Sequence, residues 1–408
     1  MLQDRGFGAY AFLLSAWLMD MLLWGSAFSY GIFLEHYTSV EFPHAPRTTL
    51  ALVGSVQTGI LYLSSLVLLP VFRWYPKVKR VMMWVGFVLT LAGLVSAAFV
   101  KEPWALVLTQ GVMVSVGSSI LYWPVLPYMF EWFSEKKGLA NGIIFSGASI
   151  GGTCLPYAIQ ALLQHHGRRT TLLVLALIFA LLLGPVIPFA KARLPLSRVV
   201  KPGPMNFHFL SQFVFWILCT ANMCQALGNY IPTLYLPSFA SAMRQGDIGT
   251  TGVALYNASS AFGQILVGHF SDRFDLRLCM AICALGSSTS VLLIWGLSVA
   301  STIAPLVIFA LFFGFFAPSW ASLWPKFSSV VAGDDAATAM ALFVGGRGIG
   351  TLLAAPISEG LLGDGWPTGN SQFAYSLAGY GPLIVFTGVT QFASVLGVMY
   401  KLFEPRTR

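Results

Sequence analysis

The chain has 408 residues, of which 56% are hydrophobic and 9% charged, with a formal net charge of +8 and a mean hydropathy of +0.74. A soluble domain carries roughly 25% charged residues. A chain this poor in charge could not cover a water-facing surface with polar groups, and only lipid removes that need. The composition therefore excludes an ordinary soluble enzyme or binding module and points to an all-α integral membrane protein.

A helix that crosses the hydrocarbon core needs about 20 apolar residues. Apolar segments of that kind are expected at 9–34, 49–72, 81–100, 104–130, 138–163, 170–190, 207–238, 249–271, 277–298, 302–325, 336–362 and 373–402, which makes twelve transmembrane helices. The first run is too long and too aromatic for a cleavable leader. With the N-terminus placed in the cytoplasm, 17 of the 23 Lys and Arg fall on the inner side. Five fall outside, at Arg47, Lys101, Arg168, Arg169 and Arg244, and Arg347 lies within a span. A missed or invented helix would invert every later loop, so the positive-inside bias supports this count with both termini cytoplasmic. The same distribution argues against nucleic-acid binding, because the basic residues form loop clusters and no continuous stripe. The plasma membrane is the expected location, with the vacuolar membrane as the alternative.

The connection Lys191–Pro204 contains Pro195, Pro202 and Pro204 and is not expected to be helical throughout. It divides the chain into a six-helix half at 1–190, a cytoplasmic connecting loop at 191–206 and a second six-helix half at 207–408. Two such halves around a central cavity are a common build for secondary transporters. No phosphate-binding Gly-Lys-Ser/Thr loop occurs, so an ATP-driven pump would need a separate subunit. The cysteines Cys154, Cys219, Cys224, Cys279 and Cys283 have neither metal-ligand nor redox spacing. No cofactor, metal or obligate protein partner is implied. The expected partners are the bilayer, a small organic solute and protons.

Ionisable side chains within a span are costly and must face a cavity or a partner. Arg347 sits near the middle of the eleventh span in Phe343-Val-Gly-Gly-Arg-Gly-Ile-Gly350. It suits a carboxylate or phosphate, unless it serves as a structural ion pair or bonds backbone carbonyls. Asp20, in Trp17-Leu-Met-Asp20 of the first span, is the proton-coupling candidate. It could equally be a permanently protonated hydrogen-bonder or a static partner of Arg347. Glu359 closes the eleventh span and is expected to reach water. Asn222, Gln225 and Asn229 in the seventh span share one helix face, as do Asn257, Ser260 and Gln264 in the eighth. These amides are expected to point inward, lining a solute path or joining helices. Gln57, Tyr30, Tyr122 and Tyr230 are weaker members of the set. Gly138, Gly142, Ser146, Gly147 and Gly151 give the fifth span a small face, expected to slide against a helix of the other half. Pro156 and Pro318 are expected to kink their helices or free backbone groups. The His165-His166 pair beside Arg168 and Arg169 has no carboxylate neighbour in sequence, which argues against a membrane enzyme. The short tail after the last span argues against a receptor on a transporter fold.

Several stretches resemble the monocarboxylate-porter branch of the major facilitator superfamily, especially its fungal members. Asp4-Arg-Gly-Phe-Gly-Ala-Tyr10 is similar to the family's opening motif, with Arg5 where glycine is usual. Trp24-Gly-Ser-Ala-Phe-Ser-Tyr-Gly-Ile-Phe-Leu34 is close to the fungal pattern. Trp132-Phe-Ser-Glu-Lys-Lys-Gly-Leu-Ala-Asn-Gly142 with Ser146-Gly-Ala-Ser-Ile-Gly151 resembles the second signature. Gly268-His-Phe-Ser-Asp-Arg-Phe-Asp-Leu-Arg277 resembles the superfamily's loop motif, and Gly346–Gly350 with Ala355–Ser358 is also like fungal members.

The resemblance covers nearly all the chain and implies the major facilitator fold. It also implies that Asp272, Arg273 and Arg277 form a conformational latch. The equivalent first-half loop, Pro70–Lys77, keeps basic residues but lacks the aspartate. Where animal proton-coupled members carry an Asp/Arg pair in the eighth span, this chain has Ser260 and Gln264, so a lactate-type mechanism through that pair cannot operate. Arg347 is expected to be the substitute anion anchor, an arrangement that resembles the related bacterial oxalate antiporter with its basic residue in the eleventh span.

The reading is a secondary transporter of a small organic solute, such as a monocarboxylate or related metabolite, working by alternating access. Arg347, Asn222, Gln225, Asn229, Asn257, Gln264 and Tyr30 would bind the solute, and Asp20 would carry the proton. The alternative is an exporter of a fungal secondary metabolite or drug-like compound. A non-transporting sensor is the remote option.

Overall fold

The computed structural model describes residues 3–193, 208–243, 246–298, 302–362, 374–377 and 379–403. Every regular element among them is helical. Nine stretches of the described residues are long and apolar enough to cross a membrane. Eight of them are α1 (Phe7–Glu41), α2 (Arg47–Trp74), α3 (Lys79–Phe99), α4 (Pro103–Trp132), α9 (Leu276–Trp295), α10 (Ala304–Ala332), α11 (Ala336–Leu361) and α12 (Gly381–Leu402). The ninth, Lys137–Phe189, is two crossings. At Gly167 the backbone turns to φ 71°, ψ 177°, a conformation that glycine adopts without a Cβ clash. The stretch is therefore divided into α5 (137–166) and α6 (168–189). Two further helices complete the twelve: α7 (213–242, in two pieces meeting at Tyr230) and α8 (Gly246–Arg273).

The first span runs further than its apolar core suggested. It reaches Glu41 through a loosened turn at Ser29 and a wide last turn at Tyr37–Glu41. The chain forms two compact units, Met1–Met205 and Asn206–Arg408. Beyond Arg193, the proline-bearing connection lies outside the described residues.

In lipid, helices are held by close packing and buried hydrogen bonds, so small residues mark the seams. In the first unit α1 lies directly on α5. A Cβ added at Gly151 would sit 2.2 Å from the Met21 carbonyl oxygen, and one at Gly147 would sit 2.4 Å from that of Trp17. Trp17 Nε1 donates to Ser146 Oγ at 3.1 Å along the same seam. Ser146, Gly147 and Gly151 of the small face of α5 are therefore packed against α1 of their own unit. The second unit repeats the device with α7 on α11, where a Cβ at Gly350 would meet Ala226 Cβ at 2.8 Å.

The two prolines behave differently. Helix α5 continues through Pro156. At Pro318, α10 tightens to a 3-10 segment, Pro318–Leu323, and the Ala317 carbonyl takes a side-chain partner from α7.

At the rim of the first unit, Arg168 follows the Gly167 break. Its Nη2 pairs with Glu41 Oε1 at 3.1 Å and donates to the Val100 carbonyl at 2.7 Å, with the Phe42 ring 5.4 Å from the guanidinium carbon. The sequence neighbourhood of Arg168 held no acid, but the fold brings one to it.

The α1–α5 seam makes a prediction. Gly151→Leu should unfold the first unit or lower its melting temperature sharply, since overpacking costs about 1–3 kcal/mol or more. Gly360→Ala, with nothing near its Cβ position, should be neutral in the same thermal unfolding series in detergent.

Candidate functional site

The centre of the first unit is built around Asp20, near the middle of α1 and buried. Gly147 leaves room for it, as a Cβ there would sit 3.2 Å from Asp20 Cβ. Tyr122 of α4 donates its hydroxyl hydrogen to Asp20 Oδ1 at 2.7 Å, and the Ala148 backbone N–H donates to Oδ2 at 2.8 Å. The two donors differ chemically. A backbone N–H can only donate, whereas a phenol hydroxyl can donate or accept. A proton bound by Asp20 would therefore rest on Oδ1 and reverse a single hydrogen bond, that with Tyr122. Aromatic rings surround the pair. Trp24 lies 4.6 Å from Tyr62 and 6.1 Å from Tyr122, centroid to centroid.

Tyr30 does not join this centre. Its ring fills the space above Gly54 and its hydroxyl donates to the Leu50 carbonyl at 2.6 Å. It braces α1 against α2.

The centre of the second unit is Arg347 on α11, also buried. Its Nη1 donates to Gln225 Oε1 of α7. The guanidinium carbon is 5.5 Å from the Trp324 ring centroid and 5.7 Å from that of Tyr230, within the range of cation–π attraction. Gln225 Nε2 donates to the Ala317 carbonyl beside Pro318 and to Asn229 Oδ1 at 3.3 Å. Gln391 of α12 fixes the Gln225 backbone by donating to its carbonyl at 2.9 Å. Asn222 Oδ1 accepts from the indole N–H groups of Trp320 at 3.2 Å and Trp324 at 2.9 Å. Its Nδ2 donates to the Phe343 carbonyl at 2.7 Å.

The structure thus joins Arg347, Gln225, Asn229 and Asn222 in one buried network. Gln264 stands apart, donating to Ser260 Oγ at 3.3 Å on its own helix, and Asn257 is half-buried on α8. Glu359 is exposed. Sequence reasoning missed Trp320, Trp324 and Gln391. The recurrence of Trp320 and Trp324 four apart was the signal available for two of them.

At the turn after α8, Arg277 forms its ion pair with Asp275, at 2.8 Å. Asp275 also caps α9 by accepting from the Arg277 backbone N–H at 2.9 Å. Hydrogen bonds from Arg277 hold the Asp275 carboxyl down at about 2. Asp275 therefore joins the expected trio of Asp272, Arg273 and Arg277 as an acid that Arg277 engages. Lys326 of α10 donates to the carbonyls of Ser271 and Phe274 across the same turn.

The opening motif has a structural role in the first unit. Asp4 adopts φ 57°, and its carboxylate accepts from Ser134 Oγ at 2.7 Å and from the backbone N–H groups of Ser134, Glu135 and Lys136 at 3.0–3.3 Å. It therefore binds the start of α5, where backbone N–H groups lack helical partners. Burial pushes the carboxyl upward, but these four donors outweigh it and hold it below the ordinary carboxylate value.

Comparison with known proteins bears on this arrangement. The family model described as Major Facilitator Superfamily matches residues 10–355 and, in an overlapping match, 218–407. The chain is similar to the MFS transporter asaE of Aspergillus flavus, 27% identical over 327 residues that cover 79% of this chain and 72% of the relative. It is similar to the fujikurins efflux protein of Gibberella fujikuroi, 28% identical over 331 residues covering 78% and 68%. Among solved structures, the proton:xylose symporter XylE superposes with a TM-score of 0.70 at 14% identity, covering 97% of this chain and 96% of that one. At that identity the likeness is one of fold.

Because Asp4 is held below its ordinary value, its contribution to stability is present above the unfolded carboxylate pKa and is lost as pH falls through the folded one. Asp4→Asn should destabilise the fold at pH 7 by on the order of 2 kcal/mol, the scale of hydrogen bonds to a charged acceptor, read as a lower melting temperature. The gap from wild type should narrow as the pH is taken below the ordinary carboxylate value of 3.8. A gap independent of pH would show that the carboxylate charge is not what the α5 start binds.

Proposed function

From the premise that the chain belongs to the Major Facilitator Superfamily and is a secondary transporter of small solutes, we propose that its solute is an organic acid anchored by Arg347 and that Asp20 couples transport to protons. The observation that carries this reading is the positive charge that Arg347 places among neutral amides and aromatic faces in the core of the second unit. Guanidinium keeps its charge at any working pH and presents planar donors that suit a carboxylate. The Trp324 and Tyr230 rings beside it favour a solute with apolar or conjugated surface next to its acid group.

Proton coupling is supported by the Asp20–Tyr122 pair, which can hold one proton by reversing one bond. The turn holding Asp272, Arg273, Asp275 and Arg277 would stabilise one state of the transport cycle. Both termini are proposed to be cytoplasmic, on the distribution of Lys and Arg, and the membrane is proposed to be the plasma membrane. The branch is proposed to be that of the fungal monocarboxylate porters. Supporting this, its opening motif and second signature meet in space at Asp4 and Ser134–Lys136. A second reading, export of a larger secondary metabolite, is favoured by the likeness to the fujikurins efflux protein. It differs in direction and solute size and uses the same residues.

Proteoliposome flux of a panel of carboxylates and neutral metabolites tests the anchor. Arg347→Gln should lower carboxylate flux roughly tenfold or more, each factor of ten being about 1.4 kcal/mol, and Arg347→Lys should recover part of it. Unchanged carboxylate flux in Arg347→Gln would make Arg347 structural and remove the acid preference. Asp20→Asn should abolish the response of flux to an imposed pH gradient, and Tyr122→Phe should weaken that response while leaving solute exchange intact. A pH response retained in full by Asp20→Asn would move the coupling elsewhere.

A further inference from the structure

The turns between the second and third spans of each unit carry opposite electrostatics. In the second unit the turn after α8 is balanced, with Arg277 on Asp275 at 2.8 Å and Lys326 on backbone carbonyls. In the first unit the α2–α3 turn reads Arg73-Trp-Tyr-Pro-Lys-Val-Lys-Arg80, and no Asp or Glu occurs between Glu41 and Glu102. One of its cations is drawn into the fold. Lys79 is 7% exposed, with Nζ 5.1 Å from the Tyr128 ring centroid. Lys77 and Arg80 stay exposed. Beside them, Trp74 and Tyr75 are 59% and 61% exposed, and Val78 and Val81 are exposed as well.

We infer that the α2–α3 turn is a binding site for the headgroup of an anionic phospholipid. Trp and Tyr settle at the boundary between hydrocarbon and headgroups, so Trp74 and Tyr75 hold the turn at headgroup depth. Lys77 and Arg80 then face the phosphate layer with no acid on α2 or α3; the acid nearby is Glu131 of α4, which acts on the buried Lys79, so the turn keeps a net positive charge. A basic residue next to an anionic membrane surface contributes about 1 kcal/mol. The occupant is a lipid because the cations are joined to exposed rings and valines, which a soluble phosphate would leave uncovered.

The test is native mass spectrometry of the purified full chain, counting phosphatidylserine and phosphatidylcholine molecules retained from mixed micelles. Wild type should retain phosphatidylserine in preference. Lys77→Gln with Arg80→Gln should lose that preference by more than tenfold, about fivefold per charge. Arg277→Gln, which changes the net charge by the same amount as either single substitution but in the balanced turn, should keep it. All three proteins should first show matched size-exclusion profiles. No preference in wild type, a preference retained by the double variant, or an equal loss in Arg277→Gln would each overturn the assignment. So would displacement of the lipid by soluble glycerophosphoserine at equal concentration, which would make the site one for free phosphate esters.

Discussion

Everything at the two polar centres depends on how closely the first span of each unit approaches the fifth. Where α1 crosses α5, the backbones touch at Gly147 and Gly151. That contact is what lets a backbone N–H of α5 reach a carboxylate on α1. In hydrocarbon no water can satisfy Asp20, so its two oxygens must find donors within helix-packing distance. A side chain larger than hydrogen at position 147 would push α1 outward and strand the acid. The α7–α11 seam at Gly350 plays the same part for Gln225 and Arg347.

The two units therefore repeat one plan with different chemistry. In each, a polar residue near the middle of the first span binds both the fourth and the fifth. Asp20 meets Tyr122 and Ala148 in the first unit. Gln225 meets the Ala317 carbonyl and Arg347 in the second. In the proposed function the first arrangement would hold or release a proton. The second holds a fixed positive charge and sets its direction. Separating the variable charge from the fixed one gives each a surrounding suited to it. Hydroxyl and N–H donors face the acid, and amide oxygens and aromatic faces surround the guanidinium.

Much of this was legible in the sequence, for a physical reason. Composition alone excludes a soluble fold, and an ionisable residue inside an apolar run stands out because its burial is costly. That is how Asp20 and Arg347 are found. The row Asn222, Gln225, Asn229 is visible because amides on one helix face cannot all be lipid-facing. The partners were harder to see. Trp320 and Trp324 look like any aromatics of a membrane helix until their indole N–H groups are seen to converge on Asn222. The Ala148 N–H has no side-chain signature. The Asp4 site at Ser134–Lys136 and the Arg168–Glu41 pair join residues about 130 positions apart, which no local pattern reveals. The small face of α5 was readable as a seam, but nothing in its spacing says which helix fills it.

Hydrogen-bond capacity sharpens the roles within the second centre. A side-chain amide offers two donor hydrogens and an oxygen with two lone pairs. Asn222 spends its oxygen on two indoles and one hydrogen on the Phe343 carbonyl. Gln225 spends its oxygen on Arg347 and its amide nitrogen on Ala317 and Asn229. A solute that took either amide as its ligand would have to break buried bonds that cannot be remade to water, at a cost of about 1–3 kcal/mol for each group left unsatisfied. The sequence suggested that both would bind the solute. The geometry makes them a frame around Trp324 and the guanidinium, and in the proposed function it is Arg347 that would recognise the acid.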